Sequence, residues 1–97
     1  MITRIVKLTM AEENIDTFKT YFDTVCNTIR NQPGCHKLQV WQDIHHPQIF
    51  FTYSIWDSED DLDKYRYSDF FAVFWKTEKP WFGAKAEVWS FDVLMDL

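Results

Sequence analysis

Four side chains have the chemistry to handle a proton or a negative charge on a small molecule: His36, Tyr53, Tyr65 and Arg66. An imidazole titrates near neutrality, so it accepts or returns a proton at working pH. Phenols donate hydrogen bonds to a developing oxyanion, and a guanidinium stabilises it once formed. His36 is the second residue of the alternating run CHKLQVWQDI and shares the register of Leu38 and Val40, which directs it toward a helix-covered interior. Each residue also has a structural reading: a lone histidine satisfied by a neighbour, two phenols anchored to backbone, and a solvated arginine beside a helix break.

The remaining polar patterns carry less. His45-His46 points its two rings apart, and no Cys, Asp or Glu at a suitable spacing completes a tetrahedral set, so no metal site is expected. The acidic run Glu59-Asp60-Asp61-Asp63 lacks the glycine and terminal glutamate of a calcium loop and is explained as helix capping. No Gly-rich phosphate loop and no serine elbow is present. A formal net charge of −5 argues against a nucleic-acid partner, which needs clustered Lys and Arg. No apolar run approaches the roughly 20 residues that cross a bilayer. The first ten residues alternate instead of forming a signal peptide's apolar stretch, so no membrane association and a cytoplasmic location are expected. Cys26 and Cys35 are then free thiols acting as small hydrophobes.

The elements that must position the reactive groups are legible in the periodicity. At 97 residues, one domain spanning residues 1–97 is expected. Residues 2 to 10 alternate as a strand. From Ala11 to about Gln32 the apolar positions Ile15, Phe18, Phe22, Val25 and Ile29 step by three and four, as in an amphipathic helix that Pro33-Gly34 ends. Residues 35 to 57 read as an antiparallel hairpin turning at His45-His46-Pro47. Ser58 and Ser68 are N-caps for two short helices in succession, and AKAEVWSFDVL supplies a last strand. The order β-α-β-β-α-β is that of the α+β, ferredoxin-like arrangement, a four-stranded antiparallel sheet with helices on one face.

Helices cover only one face of such a sheet. Ile49, Phe51, Tyr53 and Ile55 form the more apolar set in the third strand and are assigned to the helix side, together with Val6, Leu8, Leu38, Val40, Trp89, Phe91 and Val93. Ile5, Trp41, Phe50, Trp56, Val88 and Leu94 then lie on the open face among Gln39, Thr52, Ser54 and Ser90. That mixture is too apolar for water and too polar for a core, so it predicts a homodimer packed sheet to sheet through Trp41, Phe50 and Trp56.

YRYSDFFAVFW, residues 65 to 75, places six aromatic rings in eleven residues. Positions 67, 70, 71, 74 and 75 make either a helix's core face or one wall of a ligand pocket. Phe18, Pro33-Gly34-Cys35, Trp56-Asp57-Ser58, the Leu62-x-x-Tyr65-x-x-Ser68-x-x-Phe71 spacing and Trp75, in this order along nearly the whole chain, resemble the antibiotic biosynthesis monooxygenase (ABM) domain. The resemblance implies a dimeric α/β barrel of ferredoxin-like protomers with a hydrophobic pocket between helices and sheet. It also implies oxidation of a small hydrophobic aromatic or quinol-type substrate by O2, with no metal, flavin or haem. On that reading His36, Tyr65 and Tyr53 are the candidate catalytic residues, and Phe22, Phe51, Phe71, Phe74, Trp75 and Trp89 line the pocket. The haem-degrading branch of the family is disfavoured. It needs a histidine ligand where Trp75 stands, a tryptophan in place of Tyr65, and an asparagine on a first strand that offers Arg4, Val6 and Lys7. Two other functions fit the same fold: a non-catalytic dimeric binding module, and an isomerase or detoxification enzyme for a small metabolite.

Overall fold

The alternating run at the start of the chain forms strand β1 (Ile2–Thr9) in the computed structural model, which describes all 97 residues. A 3-10 turn over Glu12–Asn14 leads into helix α1 (Ile15–Arg30), which buries Phe18, Phe22 and Ile29 along one stripe. Gly34 then reverses the chain with φ +85° into the hairpin of β2 (Cys35–Gln42) and β3 (Ile49–Trp56). The second helical region is divided, as its two serines predict, into α2 (Glu59–Arg66) and α3 (Asp69–Glu78). The Ser58 and Ser68 hydroxyls accept the N–H groups of Asp61 and Phe71, so each half has its own cap. Ser68 also donates its hydroxyl to the Tyr65 carbonyl at 2.7 Å, tying the end of α2 to the start of α3. Strand β4 (Glu87–Phe91) closes the sheet in the order β2-β3-β1-β4, antiparallel throughout, which is the ferredoxin-like topology.

The strand register corrects the assignment of the two faces. Residues directly opposite each other share a face, and Leu8 lies opposite Phe50, Val6 opposite Thr52 and Val88, and Arg4 opposite Ser54 and Ser90. The core marks this as the helix-covered side: Leu8, Phe50 and Trp56 are each 1% exposed, and the Phe50 ring lies 4.7 Å from that of Phe18 in α1. Phe50 and Trp56, expected at a dimer interface, are therefore buried under the helices. Phe51, Tyr53 and Trp89, expected in the pocket, point to the open face with Ile5, Ile55 and Phe91, and there Tyr53 stacks on Trp41 at 5.1 Å. Choosing the more apolar half of β3 as the covered half failed because the covered face of this sheet is the more polar one.

A bulge adds a second correction. Cys35 pairs with Trp56 and Lys37 with Ile55, which leaves His36 as the extra residue. The alternation flips across it, so Cys35 is buried beneath the helices while His36 turns outward and contacts Asp57.

Gly34 supplies a direct check on this framework. A Cβ there meets the Asp61 side chain at 2.6 Å, in addition to the cost of a positive φ. Gly34→Ala is expected to lower stability by about 1–3 kcal/mol, read as the urea midpoint; an unchanged midpoint would mean that the turn between α1 and β2 is built differently.

Candidate functional site

The helix-covered face carries a cavity of about 400 Å³ between the sheet and α2–α3, a size typical of small-molecule sites. Its floor is Val6 and Leu8 of β1 with Thr52 and Ser54 of β3, and its roof is the aromatic segment. Tyr65 stacks on Trp56 at 5.1 Å and meets Phe71 edge-on, and Phe71 stacks on Trp75 at 5.8 Å. Behind them Phe70 stacks on Phe74 at 6.0 Å. Interlocked rings hold the roof in shape.

Three ionisable features stand out in this apolar setting. The first is Glu78, at the end of α3: it is 0% exposed, and neither carboxyl oxygen has a hydrogen-bond or ionic partner. Burial without compensation disfavours the carboxylate and pushes its pKa up to about 8. The second is Tyr65, whose phenol is raised well above its ordinary value by burial and then by the nearby Glu78. It stays protonated, a donor and not a base. The third is a pair of cations, Arg4 on β1 and Arg66 on α2, both lining the cavity. Arg4 donates to Ser90 Oγ at 3.2 Å and has no carboxylate in ionic contact, and burial and then Arg66 lower its pKa. Arg66 pairs with Asp63 at 3.2 Å.

Of the residues singled out in the sequence, Tyr65, Phe71, Phe74 and Trp75 come together around this cavity. Phe22 does not; it backs the roof, 6.2 Å from Phe74, and lines a separate, more open hollow with Phe18. Phe51, Tyr53 and Trp89 lie on the far side of the sheet, and His36 sits half exposed at the sheet edge beside Asp57. Glu78 and Arg4 were overlooked. Both carried a signal: Glu78 continues the helical stripe of Phe71, Phe74 and Trp75, and Arg4 alternates with Val6 and Leu8. A charged residue in phase with an apolar face must be buried, exiled or functional.

The buried carboxyl links stability to pH. The folded chain holds the Glu78 proton up to about pH 8, whereas an unperturbed glutamate releases it near 4.5. The folded state binds more protons across that interval, so stability falls as pH rises through it. Glu78→Gln is expected to remove this loss, leaving the variant more stable than the parent by a few kcal/mol at pH 9 and least so near pH 5. Denaturation midpoints of the two proteins that run parallel from pH 5 to 9 would contradict the buried state of Glu78.

Comparison with known proteins agrees with this architecture. The family model described as antibiotic biosynthesis monooxygenase matches residues 1–77. Among curated proteins, no sequence matches the chain. Solved structures similar to it include an antibiotic biosynthesis monooxygenase at 18% identity and TM-score 0.91, covering 98% of this chain and 100% of the other. A provisional antibiotic biosynthesis monooxygenase from Nitrosomonas europaea, at 16% identity and TM-score 0.89, gives the same coverage. A conserved protein from Methanosarcina mazei Go1, at 21% identity and TM-score 0.86, covers 94% of this chain and 91% of its own. At these identities the structural likeness speaks to the fold alone. The sequence match over most of the chain, on the fold and cavity described above, places this protein in the antibiotic biosynthesis monooxygenase family.

Proposed function

We propose that the protein is a cofactor-independent monooxygenase that oxidises a small, flat, electron-rich aromatic of quinol type with O2 in the cavity beneath α2 and α3. The observation that carries this reading is Glu78, an unpartnered carboxyl buried in an aromatic-walled cavity. The chemistry asks for one base, a dry ring-shaped space and a donor for the oxyanion. A phenol entering the cavity meets Glu78 as proton acceptor. Its carboxylate form lies within reach of working pH because its pKa is pushed to about 8, much nearer to that of a phenol than an ordinary glutamate's. The phenolate so formed passes an electron to O2, and the radical pair, shielded from water, recombines at a ring carbon as a peroxide. The peroxide takes back the proton held by Glu78; loss of that carbon's hydrogen with cleavage of the O–O bond then releases water and leaves one oxygen atom on the ring as a quinone carbonyl. Tyr65, held protonated, donates a hydrogen bond to the substrate oxygen. His36 and Tyr53, outside the cavity, have no part in this scheme.

The active form in this proposal is a homodimer closed through the open sheet face. Ile5, Trp41, Phe51, Tyr53, Ile55, Trp89 and Phe91 share that face, and Trp41, Trp89 and Phe91 are 43%, 39% and 49% exposed in the single chain. So continuous an apolar surface needs a cover, and a second copy supplies a matching one. No helix is long and apolar enough to cross a membrane, and two free thiols favour the reducing cytoplasm.

Oxygen uptake by metal-analysed protein over a panel of quinols and anthrones tests the activity, with heat-denatured protein as control. Uptake should rise with pH to a plateau above about 8. Glu78→Gln should lower kcat roughly a hundredfold or more while the fold survives. Ligand-induced stabilisation without oxygen uptake would instead make the cavity a binding site without chemistry. For the dimer, Trp41→Glu with Phe51→Glu should give folded monomers in light scattering, whereas Trp56→Glu should unfold the chain. A persisting dimer in the double variant would put the interface elsewhere.

A further inference from the structure

The cavity carries ionisable groups of opposite kind, two guanidinium groups and one carboxyl, and they lie at opposite ends. Arg4 sits near the start of β1, next to Arg66 at the end of α2. Glu78 lies at the other end, because the turn that follows it is tied to the far end of β1: Ala11 N–H donates to the Trp81 carbonyl at 2.9 Å, and Met10 bridges Phe82. With a strand rise of about 3.3 Å per residue, the Arg4 to Leu8 floor between them spans about 13 Å, roughly the length of a substituted two-ring aromatic.

The two ends also differ in access. Glu78 is fully buried, while Arg66 and its neighbour Tyr67 are exposed, so the cations mark the mouth. Two guanidinium groups that face one apolar cavity repel each other. Asp63 pairs with Arg66 and acts on Arg4 from farther off, while Arg4 hydrogen-bonds the neutral Ser90 hydroxyl; two cations thus share one carboxylate, and the carboxyl in the cavity itself lies at the far end. Arg4 and Arg66 together make a cationic seat on the cavity wall, and the planar fork of a guanidinium suits a carboxylate. It matters the more because the chain carries a formal net charge of −5, which repels anions at long range.

Building on the proposed oxidation of an aromatic, we infer that the substrate is an aromatic acid: its carboxylate is held by Arg4 and Arg66 at the mouth, and its ring hydroxyl is thereby delivered to Glu78 at the closed end. The anion seat sets orientation. A ring bound by stacking alone can enter either way round; a ring anchored by its carboxylate presents the opposite edge to the base. The groups that face this seat are Arg4, Ser54 and Ser90 from the sheet and Asp63, Arg66 and Tyr67 from α2 and its end.

Calorimetric titration of the full chain at pH 7 with 2-naphthol, 2-naphthoate and 6-hydroxy-2-naphthoate tests this. The naphthoate should bind at least roughly tenfold more tightly than the naphthol, the equivalent of one charge-assisted hydrogen bond, and added salt should erode only that difference. Arg4→Gln and Arg66→Gln should each remove the advantage of the acid and leave 2-naphthol unaffected. The added hydroxyl of 6-hydroxy-2-naphthoate should improve binding to the parent and not to Glu78→Leu. Arg66 is surface-exposed, so its variant keeps the test open should Arg4→Gln fail to fold. Equal affinity for naphthol and naphthoate, or an acid preference that survives both arginine substitutions, would overturn the anion seat while leaving the aromatic cavity standing. Failure of all three compounds to bind would overturn both.

Discussion

The pairing of Leu8 with Phe50 fixes which half of every strand the helices cover, and the rest of the molecule depends on it. Side chains alternate with a period of two, so a slip of one residue would exchange the faces completely. In the register the chain adopts, the covered face receives Arg4, Thr52, Ser54 and Ser90 along with its apolar residues. A face of that composition cannot be closed by helix packing alone. α2 and α3 therefore roof a cavity over its polar stretch, while the same sheet packs tightly on α1 through Phe18, Phe22 and Phe50.

The cavity is held open by rings and not by charges. Edge-on and stacked contacts among Tyr65, Phe70, Phe71, Phe74 and Trp75 make the roof, and their burial favours folding while a buried carboxyl opposes it. Glu78 is that carboxyl. A leucine in its place would add to the packing, whereas the carboxyl brings only desolvation to the folded state. A residue that weakens the fold and lies at the closed end of a cavity is a candidate for function rather than for packing.

Most of the fold could be read from periodicity and caps. The alternation of β1, the three-and-four stripe of α1, the Gly34 exit and the Ser58 and Ser68 caps all correspond to observed elements, because each is a local rule acting on adjacent residues. The sheet faces were less legible. Apolar weight chose the wrong half of β3, since here the covered face carries a cavity and is polar while the open face is greasy, the reverse of the usual rule. His36 was misplaced by a one-residue bulge that alternation cannot reveal. For the site, the aromatic roof was visible as a stripe, but Glu78 and Arg4 were not recognised: their significance comes from having no partner, which only the folded chain makes plain.

The ionisation of Glu78 is therefore the quantity that matters most. Carbon-detected NMR of the glutamate side-chain carboxyls, with Glu78 assigned by its loss in Glu78→Gln, follows that one group through a pH titration. A midpoint near 8 would establish a buried carboxyl ready to take a proton from a bound phenol. A midpoint near 4.5, the ordinary glutamate value, would mean that Glu78 is solvated or paired, and the cavity would have no base.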